Sequence, residues 1–319
     1  MRVAMGHDVT IIGGGRWGRV ILSVLATSDL PLSRITVVTT HNVALAQDAA
    51  SRLVSKHPIR IVSSLSDSPS AAIIANAARF HGETGRNLIT QGVHLLIEKP
   101  VVLTLQEARN LLALAHAAHT ILLPALSYRF CSYLHNFARR IAPMHSHSGF
   151  ELHWSDPTGE MRNGERKTYD PRINVADDVM PHIWAILSVL FPQAVFAVTS
   201  CKAARGGKSA TFTLAAGSMK GTIRLERDSD RRRRMIQLSS PASLDFSVEP
   251  GTMTIGQETM TGDTEWATNR GPLVRQLRYY LQCIEEGKTT EADETALLES
   301  VRLAESASAL LNATLPIKG

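Results

Sequence analysis

The chain has 319 residues, of which 44% are hydrophobic and 20% are charged. Its 34 basic and 29 acidic side chains give a formal net charge of +5, and the length is typical of two domains. This composition excludes a fibrous or wholly disordered protein. The N-terminus lacks the apolar stretch of a secretory signal, no apolar run reaches the ~18 residues that span a bilayer, and the cysteines are few and far apart. We therefore expect a cytoplasmic protein without a membrane partner.

The first 126 residues alternate between short apolar runs and helical patterns. Apolar strands without polar alternation are buried on both faces, as in a parallel sheet covered by helices. The alternation predicts an α/β domain of the Rossmann type over residues 1–126. The predicted strands are Val9–Gly13, Ile35–Thr39, Ile59–Val62, Ala71–Ala75, His94–Glu98 and Ile121–Leu126, and the predicted helices are Trp17–Ala26, Val43–Val54, Gly82–Gln91 and Leu105–Ala118.

The first predicted strand leads into the sequence GGGRWG at residues 13–18. Gly13, Gly15 and Gly18 have the spacing G-x-G-x-x-G between a strand and a helix, which is the context that dinucleotide binding requires. The first glycine permits a tight turn, the second lets a pyrophosphate approach the backbone, and the third allows close helix packing. The turn therefore predicts a dinucleotide site, with Arg16 and Trp17 at the helix start beside the phosphates.

The residues after the second predicted strand indicate which dinucleotide is bound. Enzymes that use NAD usually have an acid there for the ribose 2′-hydroxyl, whereas this chain has Thr39, Thr40, His41 and Asn42. A carboxylate would repel a 2′-phosphate, while hydroxyls, an imidazole and the nearby Arg16 favour one. We expect NADP, and NAD stays open because Asn42 is able to bind a ribose.

Candidate catalytic residues follow the fifth strand and lie on a later helix. Lys99 comes at the carboxyl end of that strand, between Glu98 and Pro100, where parallel sheets bind ligands. Pro100 is a candidate for a cis peptide bond. Asp178 and His182 are four residues apart in a helical pattern, so they share one helix face. Lysine, aspartate and histidine together are able to move a proton while hydride passes to or from nicotinamide.

The pattern changes after Tyr128, where a helix is followed by successive strands with short connections. Such strands predict an open, mainly antiparallel sheet. We expect residues 127–319 to form an α+β domain for substrate binding and oligomerisation, with a homodimer through the open sheet face. The predicted helices are Ser132–Ile141, Asp177–Leu190, Gly271–Gly287 and Glu291–Ala313, the predicted strands are 149–155, 195–201, 209–216, 220–226, 235–240, 244–248 and 252–256, and a polar loop occupies 156–172.

Two groups of basic residues are candidates for binding a nucleic acid or a metal, but the sequence evidence for both is weak. Arg231–Arg234 lies between two strand-like stretches, where it predicts the solvated turn of a hairpin, with a nucleic-acid contact as the weaker interpretation. His145, His147 and His153 include an H-x-H pattern, but no cysteine or acidic cluster completes a metal-ligand set. We expect no metal and no nucleic-acid partner.

Together these motifs resemble the Gfo/Idh/MocA family of oxidoreductases, whose members include glucose–fructose oxidoreductase and inositol dehydrogenase. The resemblance rests on GGGRWG at 13–18, EKP at 98–100, SYRF at 127–130 and DVMPH at 178–182, and it covers nearly the whole chain. It implies a Rossmann domain followed by an α+β domain, and an NAD(P)-dependent dehydrogenase or reductase.

The resemblance also implies roles for individual residues. Lys99, flanked by Glu98 and Pro100, contacts nicotinamide and the reacting oxygen. His182 is the general acid or base, and Asp178 positions either the substrate or His182.

Other positions match the family more loosely. A Thr-Pro turn of the family is replaced here by Asn76 and Ala77, and a histidine follows at His81. By resemblance, Asn76 hydrogen-bonds the cofactor and His81 approaches the nicotinamide ribose. Tyr128 and Arg129 fall in the family's interdomain segment as substrate contacts, although Arg129 is equally suited to binding helix-end carbonyls.

One departure from the family affects the choice of substrate. Many sugar and polyol members have an aspartate three residues after the histidine, where this chain has Ala185, and Trp184 adds apolar surface. An ordinary polyol is therefore less expected. The polar loop before the helix is either a substrate-recognition segment or a solvated surface loop, and the candidate substrate contacts in and beside it are Trp154, Lys167 and Tyr169.

We therefore predict an NAD(P)-dependent oxidoreductase that transfers hydride between nicotinamide and a C–OH/C=O centre of a sugar, sugar derivative or related small metabolite. In the reductive direction Lys99 polarises the carbonyl and His182 supplies the proton. An NADPH-dependent imine reductase and a non-catalytic NAD(P)-binding regulator are the alternatives. The presence of Lys99, Asp178 and His182 together argues against the regulator.

Overall fold

The computed structural model describes residues 6–144, 148–162, 165–262, 264–266 and 270–315 of the chain. They form two compact units. The first comprises the chain up to Leu126 together with Leu273–Val301, and the second comprises Ser127–Pro272 together with the residues from Arg302 onward. The predicted second domain, residues 127–319, therefore differs from the structure in one segment, because Leu297 and Val301 belong to the core of the first unit. Helical periodicity identifies the apolar face of such a segment but not the unit that covers it.

The first unit contains a six-stranded parallel sheet with the strand order β3-β2-β1-β4-β5-β6. This is the doubly wound order of a Rossmann domain, as the sequence predicted. Ligands of such sheets bind at the carboxyl ends of the strands, so the residues that follow β1, β2, β4 and β5 are the ones of interest. The strands are β1 (His7–Ile12), β2 (Leu32–Val38), β3 (Ile59–Val62), β4 (Ala71–Ile74), β5 (His94–Glu98) and β6 (Leu122–Ala125).

Four helices connect these strands. The strand residues that face them, such as Ile11, Ile35, Ile73 and Leu95, are fully buried, which explains why the strands are apolar on both faces. Thr104 caps the last of the four helices by accepting a hydrogen bond from the Glu107 amide at 3.2 Å. The helices are α1 (Arg16–Thr27), α2 (Val43–Ser51), α3 (His81–Ile89) and α4 (Leu105–Ala117).

The second unit contains an eight-stranded sheet with the order β10-β11-β12-β7-β13-β14-β15-β16. All neighbours are antiparallel except β7 and β12, so the predicted open and mainly antiparallel sheet is confirmed. A separate two-stranded hairpin, β8 (Met161–Arg162) and β9 (Glu165–Arg166), interrupts the predicted polar loop. The sheet strands are β7 (Gly149–Pro157), β10 (Ala197–Ala204), β11 (Ser209–Ala216), β12 (Met219–Ser229), β13 (Arg233–Leu238), β14 (Ala242–Asp245), β15 (Thr252–Ile255) and β16 (Glu258–Thr261).

The prediction of a hairpin around Arg231–Arg234 is wrong. β12 and β13 do not pair with each other, because β7 lies between them, parallel to β12 and antiparallel to β13. The arginine run therefore crosses the end of β7, and Arg234 lies opposite Trp154 in the β7–β13 register. β7, which comes earlier in the chain, lies where β12 and β13 would pair in a hairpin.

One face of this sheet packs against α5 (Ser132–Ile141), α6 (Val175–Leu190) and the end of the last helix, which contributes Leu303 and Leu311. The buried face includes Phe150 and Leu152 of β7. Helix α6 is capped by Asn174, whose Oδ1 accepts hydrogen bonds from the Ala176 and Asp177 amides at 2.9 and 3.0 Å.

The other sheet face is polar. His153 bonds to Glu226 at 2.7 Å across β7 and β12, and Arg224 bonds to the same carboxylate at 2.7 Å. An antiparallel sheet with such a face is able to remain in water, so the need for apolar cover does not by itself require a dimer.

Two helices close the chain, α7 (Gly271–Glu286) and α8 (Glu291–Thr314). In the first unit the fully buried Tyr280 hydroxyl donates to the Ala72 and His94 carbonyls at 3.2 and 2.7 Å, which ties α7 to β4 and β5. Among the helices of the described ranges, none is long and apolar enough to cross a bilayer.

Candidate active site

The glycine-rich turn connects β1 to α1 in the first unit. Gly13 has a φ of +119°, and a Cβ there would lie 2.7 Å from the backbone of Ala75. A Cβ on Gly18 would lie 1.9 Å from the Gly13 carbonyl oxygen. A Cβ on Gly15, in contrast, would meet no atom within 4 Å. Two glycines are thus required by the fold itself, while the third leaves open space beside the backbone.

This open space lies at the start of α1, which is suited to an anion. Gly15 is the N-cap and no side chain caps the first turn, so the helix amides and dipole remain available to a phosphate. Arg16 and Trp17 are half-buried at the same helix start. Arg19, which sequence reasoning missed, donates to the Gly14 carbonyl at 2.6 Å and holds the turn in place. The turn fits the pyrophosphate of a dinucleotide.

The end of β2 differs in one residue from the prediction. Thr39 is buried against Gly14, and its hydroxyl accepts a hydrogen bond from the Asn42 amide at 3.3 Å, so Thr39 shapes the turn instead of facing a ligand. Thr40 and His41 are exposed. Helix α2 starts immediately afterwards without a side-chain cap and without an acid in its first turn, which suits a 2′-phosphate.

The residues after β4 and β5 are joined by His81. Its Nδ1 lies 2.8 Å from the Pro100 carbonyl oxygen and its Nε2 lies 3.1 Å from the Asn76 carbonyl oxygen, with the side chain 2% exposed. Burial lowers the pKa of His81, against the opposing effect of these carbonyls. Both nitrogens face backbone oxygens, which leaves neither for the nicotinamide ribose that the resemblance assigns to His81.

Asn76 retains capacity for a ligand. Its amide nitrogen donates to the Thr84 hydroxyl at 3.0 Å, while its buried Oδ1 has no hydrogen-bond partner among the described residues. A buried acceptor without a donor is costly, and a cofactor hydroxyl would satisfy it.

The EKP sequence forms the end of β5. The Lys99–Pro100 peptide bond is cis, as the sequence suggested. Lys99 is half-buried, and Glu98 is buried beneath it. Burial raises the pKa of Glu98 to about 7, although the nearby Trp17 indole and the charge of Lys99 act in the opposite direction. A carboxyl whose pKa is about 7 therefore lies directly before Lys99 in the chain.

In the second unit, α6 carries both remaining catalytic candidates. The Asp178 carboxylate accepts from the Arg227 guanidinium at 3.0 Å, and the same guanidinium donates to the Ile173 and Asn174 carbonyls at 2.9 and 3.0 Å. Arg227, another residue that sequence reasoning missed, thereby fixes the start of α6. Pro181 precedes His182 and donates no bond to the preceding turn.

His182 is surrounded by aromatic rings. It stacks on Trp154 with ring centroids 5.3 Å apart and an interplanar angle of 18°. Tyr128 meets both rings edge-on, at 5.2 Å from His182 and 5.5 Å from Trp154. Tyr128 and Arg129 lie in the short 3₁₀ turn Ser127–Phe130, and both are half-buried.

Trp154 is 4% exposed, so it contacts His182 and does not form an open substrate surface. The Arg234 guanidinium lies 3.6 Å from its ring centroid and pairs with Asp156. Lys167 donates to the other oxygen of Asp156 at 2.6 Å. We call Trp154, Asp156, Lys167, His182 and Arg234 the Trp154 cluster.

Burial would raise the pKa of Asp156, but the charges of Arg234 and Lys167 and their hydrogen bonds lower it to about 2. Arg232 is likewise paired, with Glu160 at 3.1 Å. Two of the four arginines, Arg232 and Arg234, are therefore in internal ion pairs, contrary to the predicted solvated turn, while Arg231 is exposed.

The remaining sequence candidates are Tyr169, as a substrate contact, and the histidines considered for a metal site. Tyr169 lies between two cations, with Lys167 Nζ 4.8 Å and the Arg227 guanidinium 4.6 Å from its ring centroid. His145 and His147 lie outside the described residues, and His153 is bonded to Glu226. Among the residues that the structure describes, no three potential ligands are grouped for a metal.

The comparisons with known proteins agree with this geometry. Residues 7–125 match the family described as "Oxidoreductase family, NAD-binding Rossmann fold", whose short name is GFO_IDH_MocA. Through these residues, which include the whole parallel sheet, the chain is similar to the Gfo/Idh/MocA oxidoreductases. The predicted resemblance, the oxidoreductase class and an NAD(P) cofactor are confirmed at this level. No curated protein matches the sequence.

Solved structures extend the Gfo/Idh/MocA likeness in fold to nearly the whole chain. GnnA, a UDP-N-acetylglucosamine 3-dehydrogenase from Acidithiobacillus ferrooxidans, is 20% identical, covers 98% of this chain and 99% of its own, and has a TM-score of 0.75. KijD10, a 3-ketoreductase from Actinomadura kijaniata solved with TDP-benzene and NADP, is 12% identical, with 95% and 97% coverage and a TM-score of 0.76. A Gfo/Idh/MocA family oxidoreductase from Vibrio cholerae is 16% identical, with 97% and 99% coverage and a TM-score of 0.73. At these identities the likeness establishes the fold.

Proposed function

We propose that the protein is an NADP-preferring oxidoreductase that interconverts a C–OH and a C=O centre of a sugar derivative. The observation that carries the proposal is the combination, in one Rossmann unit, of an open Gly15 turn and a half-buried Lys99 at the end of β5. A non-catalytic nucleotide-binding unit has no need for a lysine there.

The preference for NADP is supported by the end of β2. Residues 38–45 contain no acid to repel a 2′-phosphate, and Thr40 and His41 are exposed. The uncapped start of α2 adds amides and a favourable dipole. Arg16 is the cationic candidate on the side of the glycine-rich turn.

The bound cofactor would supply or accept the hydride. Asn76 Oδ1 would accept a hydrogen bond from a cofactor hydroxyl, and Lys99 Nζ would donate a hydrogen bond to the reacting oxygen and polarise the carbonyl. His182 would give up the proton in reduction and take it in oxidation. Asp178, held by Arg227, would keep the start of α6 in place and orient the substrate or His182.

The proposed substrate class is a nucleotide-linked sugar. GnnA acts on UDP-N-acetylglucosamine, and KijD10, a 3-ketoreductase, binds TDP-benzene. In this chain Ala185 is fully buried in the core, so the aspartate that many polyol members carry there is replaced by packing surface. Lys167 and Tyr169 are the candidate substrate contacts.

The first test is a fluorescence titration of the purified protein with NADPH and with NADH, followed by assays with nucleotide-linked sugars, their keto forms and a C=N substrate. We expect tighter binding of NADPH and turnover of a keto sugar. Turnover confined to the C=N substrate would favour the imine reductase, and binding of neither dinucleotide would contradict the proposal.

The second test is Lys99→Ala, with the exposed Lys202→Ala as its matched control. Loss of the lysine should reduce kcat about a thousandfold while NADPH still binds, because the pyrophosphate site is separate. Unchanged turnover would contradict the role of Lys99. NADPH binding without turnover of any substrate, in both wild type and variant, would favour the regulator.

A homodimer through the polar sheet face is part of the proposal. The paired side chains of His153, Arg224 and Glu226 would lie in that interface. Sedimentation of the wild type and of Arg224→Glu measures the state directly, and a monomeric wild type would contradict the dimer.

A further inference from the structure

We infer that Trp154 and Arg234 are positioning residues for His182. The inference rests on the proposed function for its kinetic consequence, but the contacts it uses lie entirely within the second unit. Neither residue would touch the substrate. They would act by fixing the orientation of the imidazole ring.

The first contact is the stack between the indole and the imidazole. An interplanar angle of 18° and a centroid separation of 5.3 Å describe an offset stack, in which each ring limits the tilt of the other. Tyr128, edge-on at 5.2 Å, limits motion from a second direction. His182 is only partly buried, so these ring contacts act directly on the rotamer of its side chain.

The second contact anchors the indole. Arg234 is 1% exposed, and its planar guanidinium lies 3.6 Å from the Trp154 ring centroid, which is cation–π distance. It donates to the Ser155 carbonyl at 2.5 Å and pairs with Asp156, whose other oxygen binds Lys167. The guanidinium is therefore held by fixed partners and cannot move away from the indole.

A buried ion pair is a weak source of stability, since desolvation opposes the attraction, and a well-packed apolar pair is often as stable. We therefore explain the Arg234 cation by orientation: it holds the Trp154 ring, and that ring stacks on the candidate acid, His182. Because β13 and β7 are neighbours with Arg234 opposite Trp154, the anchor is built into the sheet register.

Intrinsic fluorescence tests the stack without any substrate. Contact with an imidazole quenches the emission of an indole, so removing the imidazole in His182→Gln should raise the emission at constant pH. The rise should be absent when His182→Gln is made in the Trp154→Phe background. It should persist in the Trp184→Phe background, which carries the same substitution two residues from His182 on α6. Absence of the rise in His182→Gln alone, or its persistence in the Trp154→Phe background, would overturn the stack.

Kinetics test the positioning. Trp154→Leu should lower kcat about a hundredfold with little change in KM, and Trp154→Phe should restore most of it because an aromatic face remains. Arg234→Lys keeps the charge beside Asp156 but loses the planar group, and should lower kcat about tenfold. The matched control is Arg232→Lys, two residues away and paired with Glu160.

Thermal unfolding of each variant separates orientation from folding. A folded Arg234→Lys with reduced kcat and a smaller emission rise on His182→Gln supports the inference, while wild-type kcat and a wild-type rise in that variant overturn it. If Arg234→Lys does not fold, the Trp154→Phe and Trp154→Leu pair decides. If no substrate is turned over, the proposed function has failed, and the fluorescence comparison still decides whether the stack exists.

Discussion

The glycine-rich turn of the first unit and the Trp154 cluster of the second have opposite origins. The turn is made by six consecutive residues, and its shape follows from the absence of side chains at Gly13 and Gly18. The cluster is assembled from two strands, a loop and a helix, with Asp156 and Arg234 separated by 78 positions along the chain. Steric limits at single residues define the shape of the glycine-rich turn, whereas the pairing of buried charges defines the Trp154 cluster.

This difference explains which residues are tolerant of change. At the turn, no atom lies within 4 Å of a Cβ on Gly15, so a substitution there should affect a ligand more than the fold. In the cluster every charged member is the partner of another, so removing one leaves a buried charge without compensation. Four substitutions test this contrast, and we expect the strongest change in stability from the one in the Trp154 cluster.

Asp156→Asn should lower the free energy of unfolding by about 4 kcal/mol at pH 7, because it leaves Arg234 buried without its carboxylate. The depressed pKa, about 2 against the ordinary 3.8, means that Asp156 stabilises the wild type above pH ~4 and that this stabilisation is lost as the pH falls toward 2. Urea unfolding at pH 7 and pH 3 should show the gap between variant and wild type narrowing. Asp48→Asn, at an exposed pair with Arg52, is the control and should change stability little.

Glu98→Gln should stabilise the protein at pH 8 by about 3 kcal/mol, since the wild-type carboxyl is ionised there against a raised pKa. The sign is opposite to that of Asp156, because the pKa moves from 4.5 to about 7 and the wild type therefore loses stability as the pH rises through this range. At pH 5 the variant and wild type should be nearly equal. Denaturant unfolding at both pH values measures this, with exposed Glu258→Gln as the control. An equal gain at both pH values would contradict the buried carboxyl.

Gly15→Val should weaken NADPH binding about a hundredfold, or about 2.8 kcal/mol, by filling the open space beside the turn. The fold should survive, since no atom lies within 4 Å of the new Cβ. Gly18→Ala is the matched comparison, because its Cβ would lie 1.9 Å from the Gly13 carbonyl and should destabilise the unit itself. A binding titration and a melting curve for both variants separate the two effects. Unchanged NADPH affinity in Gly15→Val would remove the turn from the cofactor site.

Thr40→Asp should have the smallest effect, about a tenfold loss of NADPH affinity with NADH binding retained. The new carboxylate would repel a 2′-phosphate but accept a hydrogen bond from a 2′-hydroxyl. Asn110→Asp adds the same charge at an exposed position on α4 and is the control. If both dinucleotides respond equally, the 2′-phosphate does not lie at the end of β2.

Much of the first unit could be predicted from the sequence. The six strands, their parallel order and the glycine-rich turn follow from apolar runs and glycine spacing, which are local patterns. Thr39 was misjudged because its burial depends on Gly14 across the turn. His81 was misjudged because both of its partners, Asn76 and Pro100, are carbonyls of other loops.

The second unit was less predictable. The sequence predicts most of its strands and its helices, but not β8, β9 and β16. It does not predict the sheet order either, because β7 lies between β12 and β13 although it comes much earlier in the chain. The sequence therefore predicts an arginine run in solvent, and it indicates neither Arg227 nor the burial of Arg234. Charge is normally a sign of exposure, and only a partner such as Asp156 reverses that expectation.

The Rossmann unit, the glycine-rich turn and the positions of Lys99, Asp178 and His182 follow from the sequence, since each depends on spacing along one element. Only the folded chain shows that Leu273–Val301 joins the first unit, that Glu98 is buried, and that Trp154 lies between His182 and Arg234. Burial and ion pairing arise from two segments in contact, so a pattern within one segment does not predict them.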